Sequence, residues 1–181
     1  MIYFSVLGLG SNKPYGNQSP VELINAAAGE LQKTLSELRL SPLYKTAPLH
    51  VTDQSPFINA AIAGFFNYEV SQNEEPISAA VNAAQKMLEI IHGIEGRYGR
   101  NRSAERRWGE RSLDIDILLF GGMVIAEDDL VIPHPRLKER AFALRPLLDL
   151  LPDAREPETG IRYSDVLAAL PEQGIENINN H

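Results

Sequence analysis

Two aspartates alternate with apolar residues in the segment LDIDILLF, residues 113–120. Such alternation is typical of a β-strand with one buried face, and residues i and i+2 of a strand share a face at a spacing of roughly 6.5 Å. The sequence therefore predicts that Asp114 and Asp116 point the same way while the residues between them enter the core. Aspartate is a poor strand former, so two of them on one strand indicate a chemical role.

Neighbouring carboxylates repel, and each raises the pKa of the other. A cation between Asp114 and Asp116 removes that repulsion. Carboxylate oxygen suits Mg²⁺, which keeps several waters and takes its other ligands from substrate phosphates. Such a pair could hold two ions about 3.5–4 Å apart. We therefore expect a site for two magnesium ions, and the alternative is a strand with a solvated outer face.

Arginines are concentrated just before this strand. Six of the twelve arginines of the chain lie between residues 97 and 111. Guanidinium groups match phosphate oxygens in bidentate fashion and keep their charge, so this segment predicts a polyphosphate site, with a salt-bridged surface loop as the alternative. No stretch fits the P-loop pattern GxxxxGK[ST], so arginines and metal would hold the phosphates. Trp108, the single tryptophan, either flanks a flat ring or packs within the loop.

Composition narrows the function class. The net charge of −7 argues against a nucleic-acid partner, which usually selects a basic surface. The absence of cysteine excludes disulfides, thiolate metal sites and cysteine nucleophiles. The first residues do not resemble a signal peptide, and no apolar run approaches the ~20 residues that a bilayer needs. We expect a cytoplasmic protein with no membrane partner, and a monomer.

The elements around these residues follow from hydrophobic spacing and from capping signals. A strand is predicted over residues 3–9, ended by GLGSN. The capping box Ser19-Pro20-Val21-Glu22 starts a helix, whose apolar residues recur at helical spacing as Leu23, Ile24, Ala27, Ala28, Leu31, Leu35 and Leu38. Strands are expected over residues 39–44 and 57–70.

A second helix is predicted from Pro76, with one apolar face made of Ile77, Ala80, Val81, Ala84, Met87, Leu88 and Ile91. After the aspartate strand come a Gly121-Gly122 turn, extended pieces at 123–125 and 130–132, and helices at 137–150 and 164–170, the last capped by Ser164. This order predicts an α+β protein with a ferredoxin-like βαββαβ core, a mainly antiparallel sheet with helices packed on it. We expect one domain over residues 1–170 and a loosely held tail over 171–181.

Several segments together resemble one family. RRWGERSLDIDILLFGG followed by VIPHPRLKERAFALRPL is similar to the 6-hydroxymethyl-7,8-dihydropterin pyrophosphokinases of folate biosynthesis. LSPLYKTAPLHVTDQSPFINAAI resembles the pterin-binding region of that family, and VLGLGSN resembles its first strand and turn. The resemblance implies a ferredoxin-like α+β fold. It also implies magnesium-dependent transfer of the β,γ-pyrophosphoryl group of ATP to the hydroxymethyl oxygen of the pterin, with release of AMP.

The resemblance also assigns roles to individual residues. It implies that Asp114 and Asp116 coordinate the two magnesium ions and that Arg100 and Arg111 contact the transferring phosphates, so these four are the expected catalytic residues. The positions expected to bind ATP are Glu95, Arg100, Arg102, Trp108, Arg111, Ile117, His134 and Arg140. The positions expected to bind the pterin are Thr46, Ala47, Pro48, Leu49, Phe57, Asn59, Trp108, Asp114 and Phe142, with the two phenylalanines on either side of the ring.

Some positions leave alternatives open. Ala47 stands where the family usually has proline, at a contact made through the backbone. His134, between two prolines, is a nucleotide contact, a base or a turn residue, and we favour the nucleotide contact. The roles of Arg106 and Arg107 stay open, since the segment 102–108 is one residue longer than in some members of the family.

Two other function classes have features in common with this sequence. Nucleotidyltransferases place Gly-Ser close before an Asp-x-Asp strand, but here Gly10-Ser11 lies about a hundred residues before Asp114. An RNA-binding ferredoxin-like sheet would present aromatic residues and little acid, whereas this strand presents two aspartates. Neither class explains the segment PHPRLKERAF.

Overall fold

The computed structural model describes residues 1–48, 53–101 and 109–178. Most of the strands in this part of the chain form one antiparallel sheet of six strands in the order β5-β1-β4-β3-β8, with β2 also paired to β4. A separate ribbon of two short strands, β6 and β7, follows β5. The strands are β1 Ile2–Ser11, β2 Leu35–Leu40, β3 Tyr44–Thr46, β4 Phe57–Asn67, β5 Asp114–Phe120, β6 Ile125–Ala126, β7 Val131–Ile132 and β8 Ile175–Asn177.

Helices connect these strands in the order expected of a ferredoxin-like core. They are α1 Pro20–Leu31, α2 Pro76–Arg97, α3 Ala141–Leu150 and α4 Tyr163–Ala169, with a 3₁₀ turn at Leu137–Glu139. The sequence β1-α1-β2/β3-β4-α2-β5, with β1 between β4 and β5 and antiparallel to both, is the βαββαβ arrangement. The predicted fold class is therefore confirmed. Among the described residues, none of the helices combines the length and the apolarity needed to cross a bilayer.

The two faces of the sheet are covered by different layers. One face carries Leu7 and Ile115 and packs against the buried sides of α1 and α2. The other face carries Ala61 and Leu118 and packs against α3 and α4. Helices α3 and α4 leave part of this second face uncovered, and the aspartates of β5 point into the uncovered part. The alternating burial along β5 matches the predicted pattern.

The first helix begins as predicted and ends earlier. Ser19 and Glu22 form the reciprocal capping box, with the Glu22 carboxylate accepting from the Ser19 backbone N–H at 2.7 Å. The predicted continuation through Leu35 and Leu38 is wrong, because Leu35 already pairs with Phe66 in the sheet. Leucines three and four residues apart fit a helix face, but hydrogen bonding to β4 satisfies this backbone as a strand.

Helix α2 starts at Pro76 as predicted, but its buried face is rotated from the predicted one. Ile77 is 76% exposed, whereas Ala79, Ala83 and Met87 are fully buried. The predicted inclusion of Ile77 is therefore wrong, because a residue in the first turn extends past the edge of the core.

Three predictions for the C-terminal part also differ from the structure. The helix predicted over 137–150 is interrupted at Arg140, whose extended backbone separates the 3₁₀ turn from α3. Ser164 lies inside α4, and the residue at the N-cap is Arg162. Residues 175–177 are not loosely held, since β8 pairs with β3 as an edge strand of the sheet. The domain boundary at residue 170 stays a prediction.

Candidate active site

A cavity opens on the second face of the sheet, beside the N-terminus of α3. Strands β1, β3, β4 and β5 and helix α3 all contribute to its wall. Ten of the residues predicted for the site line it, namely Thr46, Ala47, Pro48, Phe57, Asn59, Arg111, Asp114, Asp116, Arg140 and Phe142. The structure therefore brings together segments from widely separated parts of the chain.

Sheet register builds the floor of this cavity. Gly10 of β1 pairs with Asp114 on one side and with Asn59 on the other. Directly opposed residues of an antiparallel sheet project from the same face, so the carboxylate and the amide stand on the same face with only a glycine between them. A Cβ atom on Gly10 would lie 3.2 Å from Asn59 Oδ1. Any larger side chain there would fill the floor between the two polar groups.

Asp114 lies between two arginines. Arg100 Nη2 is 3.1 Å from Asp114 Oδ1, and Arg111 Nη1 forms an ion pair with Asp114 Oδ2. The Arg100 side chain is only 7% exposed, so water screens this pairing weakly. Both arginines predicted to contact phosphate are therefore next to one of the two predicted metal ligands.

Asp116 has a different pair of neighbours. Arg140 Nη1 lies 3.4 Å and His134 Nε2 lies 3.7 Å from Asp116 Oδ2. Burial, together with the positive charge of Arg140, lowers the pKa of His134 to about 4, so the imidazole is neutral near pH 7. The Arg136 backbone N–H donates to His134 Nδ1 at 3.1 Å, and His134 Nε2 lies 3.3 Å from Arg140 Nη1.

The other end of the cavity is lined mainly by uncharged side chains. Asn59 Nδ2 donates to Thr46 Oγ1 at 2.8 Å, and both side chains are buried. Phe57, opposite Thr46 in the register, and Phe142, on the first turn of α3, also line this end. The Arg140 guanidinium lies 5.6 Å from the centre of the Phe142 ring, where a cation is attracted to the aromatic face. This end, called the flat end below after the planar amide and aromatic groups that line it, has the chemistry to hold a flat, polar ring.

Four of the described residues predicted to bind ATP do not line the cavity, namely Glu95, Arg100, Ile117 and His134. Arg100 and His134 lie against the two aspartates, whereas Glu95 and Ile117 lie on the other face of the sheet. The Glu95 side chain is 1% exposed, and its Oε1 accepts a hydrogen bond at 2.8 Å from the Ile115 backbone N–H. Glu95 thus anchors β5 between its two aspartates from the opposite face. Ile117 is buried in the core on that same opposite face. Both residues position the strand, and their predicted nucleotide contacts stay predictions.

Asn12 is a site residue that the sequence analysis left without a role. Its Oδ1 accepts from the Arg111 backbone N–H at 2.8 Å, and its Nδ2 donates to the Ser55 carbonyl at 3.0 Å. The Arg111 carbonyl in turn accepts from the backbone N–H groups of Asn12 and Lys13. Asn12 therefore joins the two loops that border the cavity. The only signal in the sequence was its place at the end of GLGSN.

Part of the predicted site lies outside the described residues. This applies to Leu49, Arg102 and Trp108, whose roles stay predictions, and to Arg106 and Arg107, whose roles stay open. The described arginines near the aspartates are Arg100, Arg111 and Arg140, and they come from three separate segments of the chain.

Comparison with known proteins places this site in a family. The family model described as 7,8-dihydro-6-hydroxymethylpterin-pyrophosphokinase matches residues 6–152. The chain belongs to this family. The matched range contains every described residue that lines the cavity, and it ends just after α3. The family and the enzyme class expected from the sequence are thereby confirmed.

Individual relatives of this pyrophosphokinase family match over nearly the whole chain. A 2-amino-4-hydroxy-6-hydroxymethyldihydropteridine pyrophosphokinase of Pseudomonas aeruginosa is 38% identical, over 98% of this chain and 98% of the relative. The enzyme of that name from Methylorubrum extorquens is 35% identical, over 95% of this chain and 96% of the relative.

A solved structure supports the fold. The wild-type HPPK-DHPS of Plasmodium falciparum superposes on 93% of this chain with a TM-score of 0.65 at 15% identity. This chain spans 44% of the length of that protein. At this identity the superposition shows the architecture alone.

Proposed function

We propose that the cavity beside α3 is where this protein transfers the pyrophosphoryl group of ATP to the hydroxymethyl group of 6-hydroxymethyl-7,8-dihydropterin. One observation carries the proposal. A flat, aromatic and amide-lined end of the cavity adjoins a charged end in which two aspartates of one strand meet three arginines. Transfer from a polyphosphate to a ring substituent needs these two kinds of environment side by side.

The flat end is assigned to the pterin. Asn59 and Thr46 are fixed by their mutual hydrogen bond, so their polar atoms are presented to the ring in one geometry. Phe57 and Phe142 would stack on its two faces, and the backbone at Ala47 and Pro48 would contact its edge. A pre-organised pocket of this kind lowers the entropic cost of binding.

The charged end is assigned to the phosphates of ATP. Arg100, Arg111 and Arg140 provide three fixed positive charges around the two carboxylates. Phosphate oxygens compete with carboxylates for guanidinium groups because both accept paired hydrogen bonds. When ATP binds, we expect the arginines to turn from Asp114 and Asp116 towards the phosphates, which leaves the carboxylates free to accept a cation.

The donor set fits magnesium. Asp114 and Asp116 offer carboxylate oxygen on one face, and among the described residues no cluster of three or more acidic, histidine or cysteine side chains could hold a metal alone. Mg²⁺ commonly takes only one or two protein carboxylates and completes its shell with water and phosphate. Asp114 and Asp116 would hold two such ions, whose charge would neutralise the phosphates and acidify the attacking hydroxyl.

The residues of this chain contribute chiefly position and charge. Phosphoryl transfer needs the two substrates aligned and the charge on the transferring group balanced. Asn59, Thr46 and the two phenylalanines hold the hydroxymethyl group at the charged end. Arg111 and Arg100 stabilise negative charge as it redistributes during transfer. A monomeric state and a cytoplasmic location stay predictions, as does the absence of a nucleic-acid partner.

The identity of the nucleotide product tests this function. The protein is incubated with ATP, Mg²⁺ and the dihydropterin alcohol, and the nucleotides are separated by chromatography. We expect pterin-dependent AMP in equal amount to the pterin diphosphate. Pterin-dependent ADP without AMP would mean that only one phosphoryl group moves, and the proposed reaction would be wrong.

A further inference from the structure

The segment that follows α4 reaches two walls of the cavity, although it lies beyond the residues that the family model matches, 6–152. Strand β8 pairs with β3, so that Ile175 stands opposite Thr46. Just before β8, the Gln173 side chain touches the entrance to α3. One short segment therefore braces the strand that carries Thr46 and the helix end that carries Phe142.

Gln173 makes two hydrogen bonds at this helix end. Its Oε1 accepts from the Ala141 backbone N–H at 3.1 Å, and its Nε2 donates to the Glu139 carbonyl at 3.2 Å. The first N–H groups of a helix have no partner within the helix. The N-cap residue, Arg140, makes no side-chain cap hydrogen bond. Gln173 therefore supplies the cap from a distant part of the chain.

Both hydrogen bonds flank Arg140, which is held in extended conformation between the 3₁₀ turn and α3. From this position the guanidinium reaches Asp116 and lies over the Phe142 ring. A side chain that fixes the peptide units on both sides of Arg140 also fixes the direction in which the Arg140 side chain leaves the backbone, and so the region that its guanidinium can reach. The Gln173 side chain thus acts on the Arg140 guanidinium, which lies at the charged end of the cavity.

The backbone next to Gln173 is itself anchored. Gly174 has a φ of +58°, a left-handed conformation that favours glycine, and it lets the chain turn from the helix end into β8. The Ile178 backbone N–H then donates to the Leu43 carbonyl at 3.0 Å. Gln173 therefore lies in a turn, and the strand that follows this turn, β8, is hydrogen-bonded to the sheet.

We propose that Gln173 is a positioning residue for the nucleotide end of the active site, acting through Arg140. This inference rests on the proposed function, because it takes Arg140 as a contact for ATP. It adds to that function a residue outside the range that the family model matches. Since Arg140 would contact ATP before and during transfer alike, loss of its positioning should weaken binding more than it slows the chemical step.

The test compares Gln173→Ala with Glu172→Ala, a matched change at the exposed neighbouring residue. The dissociation constant of a non-hydrolysable ATP analogue with Mg²⁺ is measured by calorimetry, and steady-state kinetics give KM and kcat. For Gln173→Ala we expect nucleotide affinity to fall about 5- to 20-fold, because an Arg140 that is no longer held in place must be ordered when the nucleotide binds, with kcat within about threefold of the parent. Glu172→Ala should match the parent. Gln173→Met keeps the side-chain length without either hydrogen bond and serves if the alanine variant does not fold.

A double-mutant cycle separates positioning from general stabilisation. If Gln173 acts through Arg140, Gln173→Ala should have no further effect on nucleotide affinity in an Arg140→Ala background. Additive losses, or a lower melting temperature with unchanged affinity, would overturn the inference and leave Gln173 as a helix cap alone. If the parent protein released no AMP, the proposed function would fail instead, so the two failures are distinguishable.

Discussion

Single residues in the site balance each other's charge in the absence of substrate. Asp114 is compensated by Arg100 and Arg111, and Asp116 by Arg140. A part-buried carboxylate without such a partner would be costly, so the arginines stabilise the site without ligand, in addition to their proposed role in binding phosphate. The same pairings mean that removing one partner changes both the electrostatics and the orientation of the other.

The carboxylates of β5 should be essential for turnover but not for folding. Asp114→Asn and Asp116→Asn keep the shape of the side chain and remove its negative charge. Each should raise the activation free energy by at least about 2.7–4 kcal/mol, the typical cost of losing one strong electrostatic stabiliser, while the protein stays folded. AMP release at several Mg²⁺ concentrations measures this effect. Normal turnover of either variant at low Mg²⁺ would contradict the two-carboxylate metal site.

Arg111 should matter far more than an arginine of the same segment that faces solvent. Arg111→Ala removes a charge at the transferring phosphates, and kcat should fall by a factor approaching ~10³, with a smaller change in ATP dissociation constant. Arg97 is the matched control, since its Nη2 pairs with Glu30 at 3.0 Å on the surface between α1 and α2.

Arg97→Ala should leave kcat unchanged and cost no more than about 1 kcal/mol of stability, the usual limit for an exposed ion pair. Steady-state kinetics and thermal melts of Arg111→Ala and Arg97→Ala measure these changes in kcat and in stability. If the two variants lost equal activity, the arginines would act as a diffuse patch and the assignment to Arg111 would be wrong.

Among the elements, β1 has the central place because its end holds the loops around the cavity. Asn12 follows β1 directly and is 2% exposed. Its side chain binds the loop before β5 through Arg111 and the loop before β4 through Ser55. The backbone of Arg111 is therefore anchored, and its side chain starts from a fixed point at the end of a loop.

Replacing Asn12 should disturb activity through these loops. Asn12→Ala leaves the Arg111 N–H and the Ser55 carbonyl without this partner, and both hydrogen bonds are part-buried, so each loss should cost about 0.5–1.5 kcal/mol. We expect a lower melting temperature and a kcat reduced at least tenfold. Asn12→Asp keeps the acceptor for Arg111 and should lose less. Lys13→Ala preserves the backbone contact of Lys13 and serves as the control; if it matched Asn12→Ala, the side chain of Asn12 would have no special role.

In the whole molecule, the site exists only when the sheet is assembled. Its walls come from residues as far apart as Gly8 and Ala143, which are brought together by the pairing of β1 with β4 and β5. A ligand of this cavity therefore binds the folded state and not the unfolded chain, and so it must stabilise the fold.

This linkage predicts a thermal shift. An ATP analogue with Mg²⁺ and the dihydropterin alcohol, each at about 100 times its dissociation constant, should add roughly 2.7 kcal/mol per independent ligand. For a domain of this size, one such increment raises the melting temperature by about 5–10 °C. Differential scanning fluorimetry measures the shift, with inorganic phosphate at the same concentration as the control. No shift with either substrate at saturation would show that the cavity does not bind them.

The sequence alone determined the features that depend on short windows of the chain. Alternation placed Asp114 and Asp116 on one face of a strand, and the Ser19–Glu22 box marked the start of α1, because side-chain periodicity and capping act over a few residues. The spacing of charged and aromatic residues in the resembling segments was enough to indicate the family and most of the cavity wall.

Only the tertiary structure decided the features that depend on partners far away in the chain. Leu35 fits a helix face by spacing but pairs with Phe66, and Glu95 serves the backbone of Ile115. Asn12 acquires its role from Arg111, and Gln173 from the N-terminus of α3. A backbone N–H or carbonyl must find a partner somewhere, and no local pattern shows which distant side chain will supply it. For this reason the chemistry of the site was largely visible in the sequence, whereas the residues that hold it in place were not.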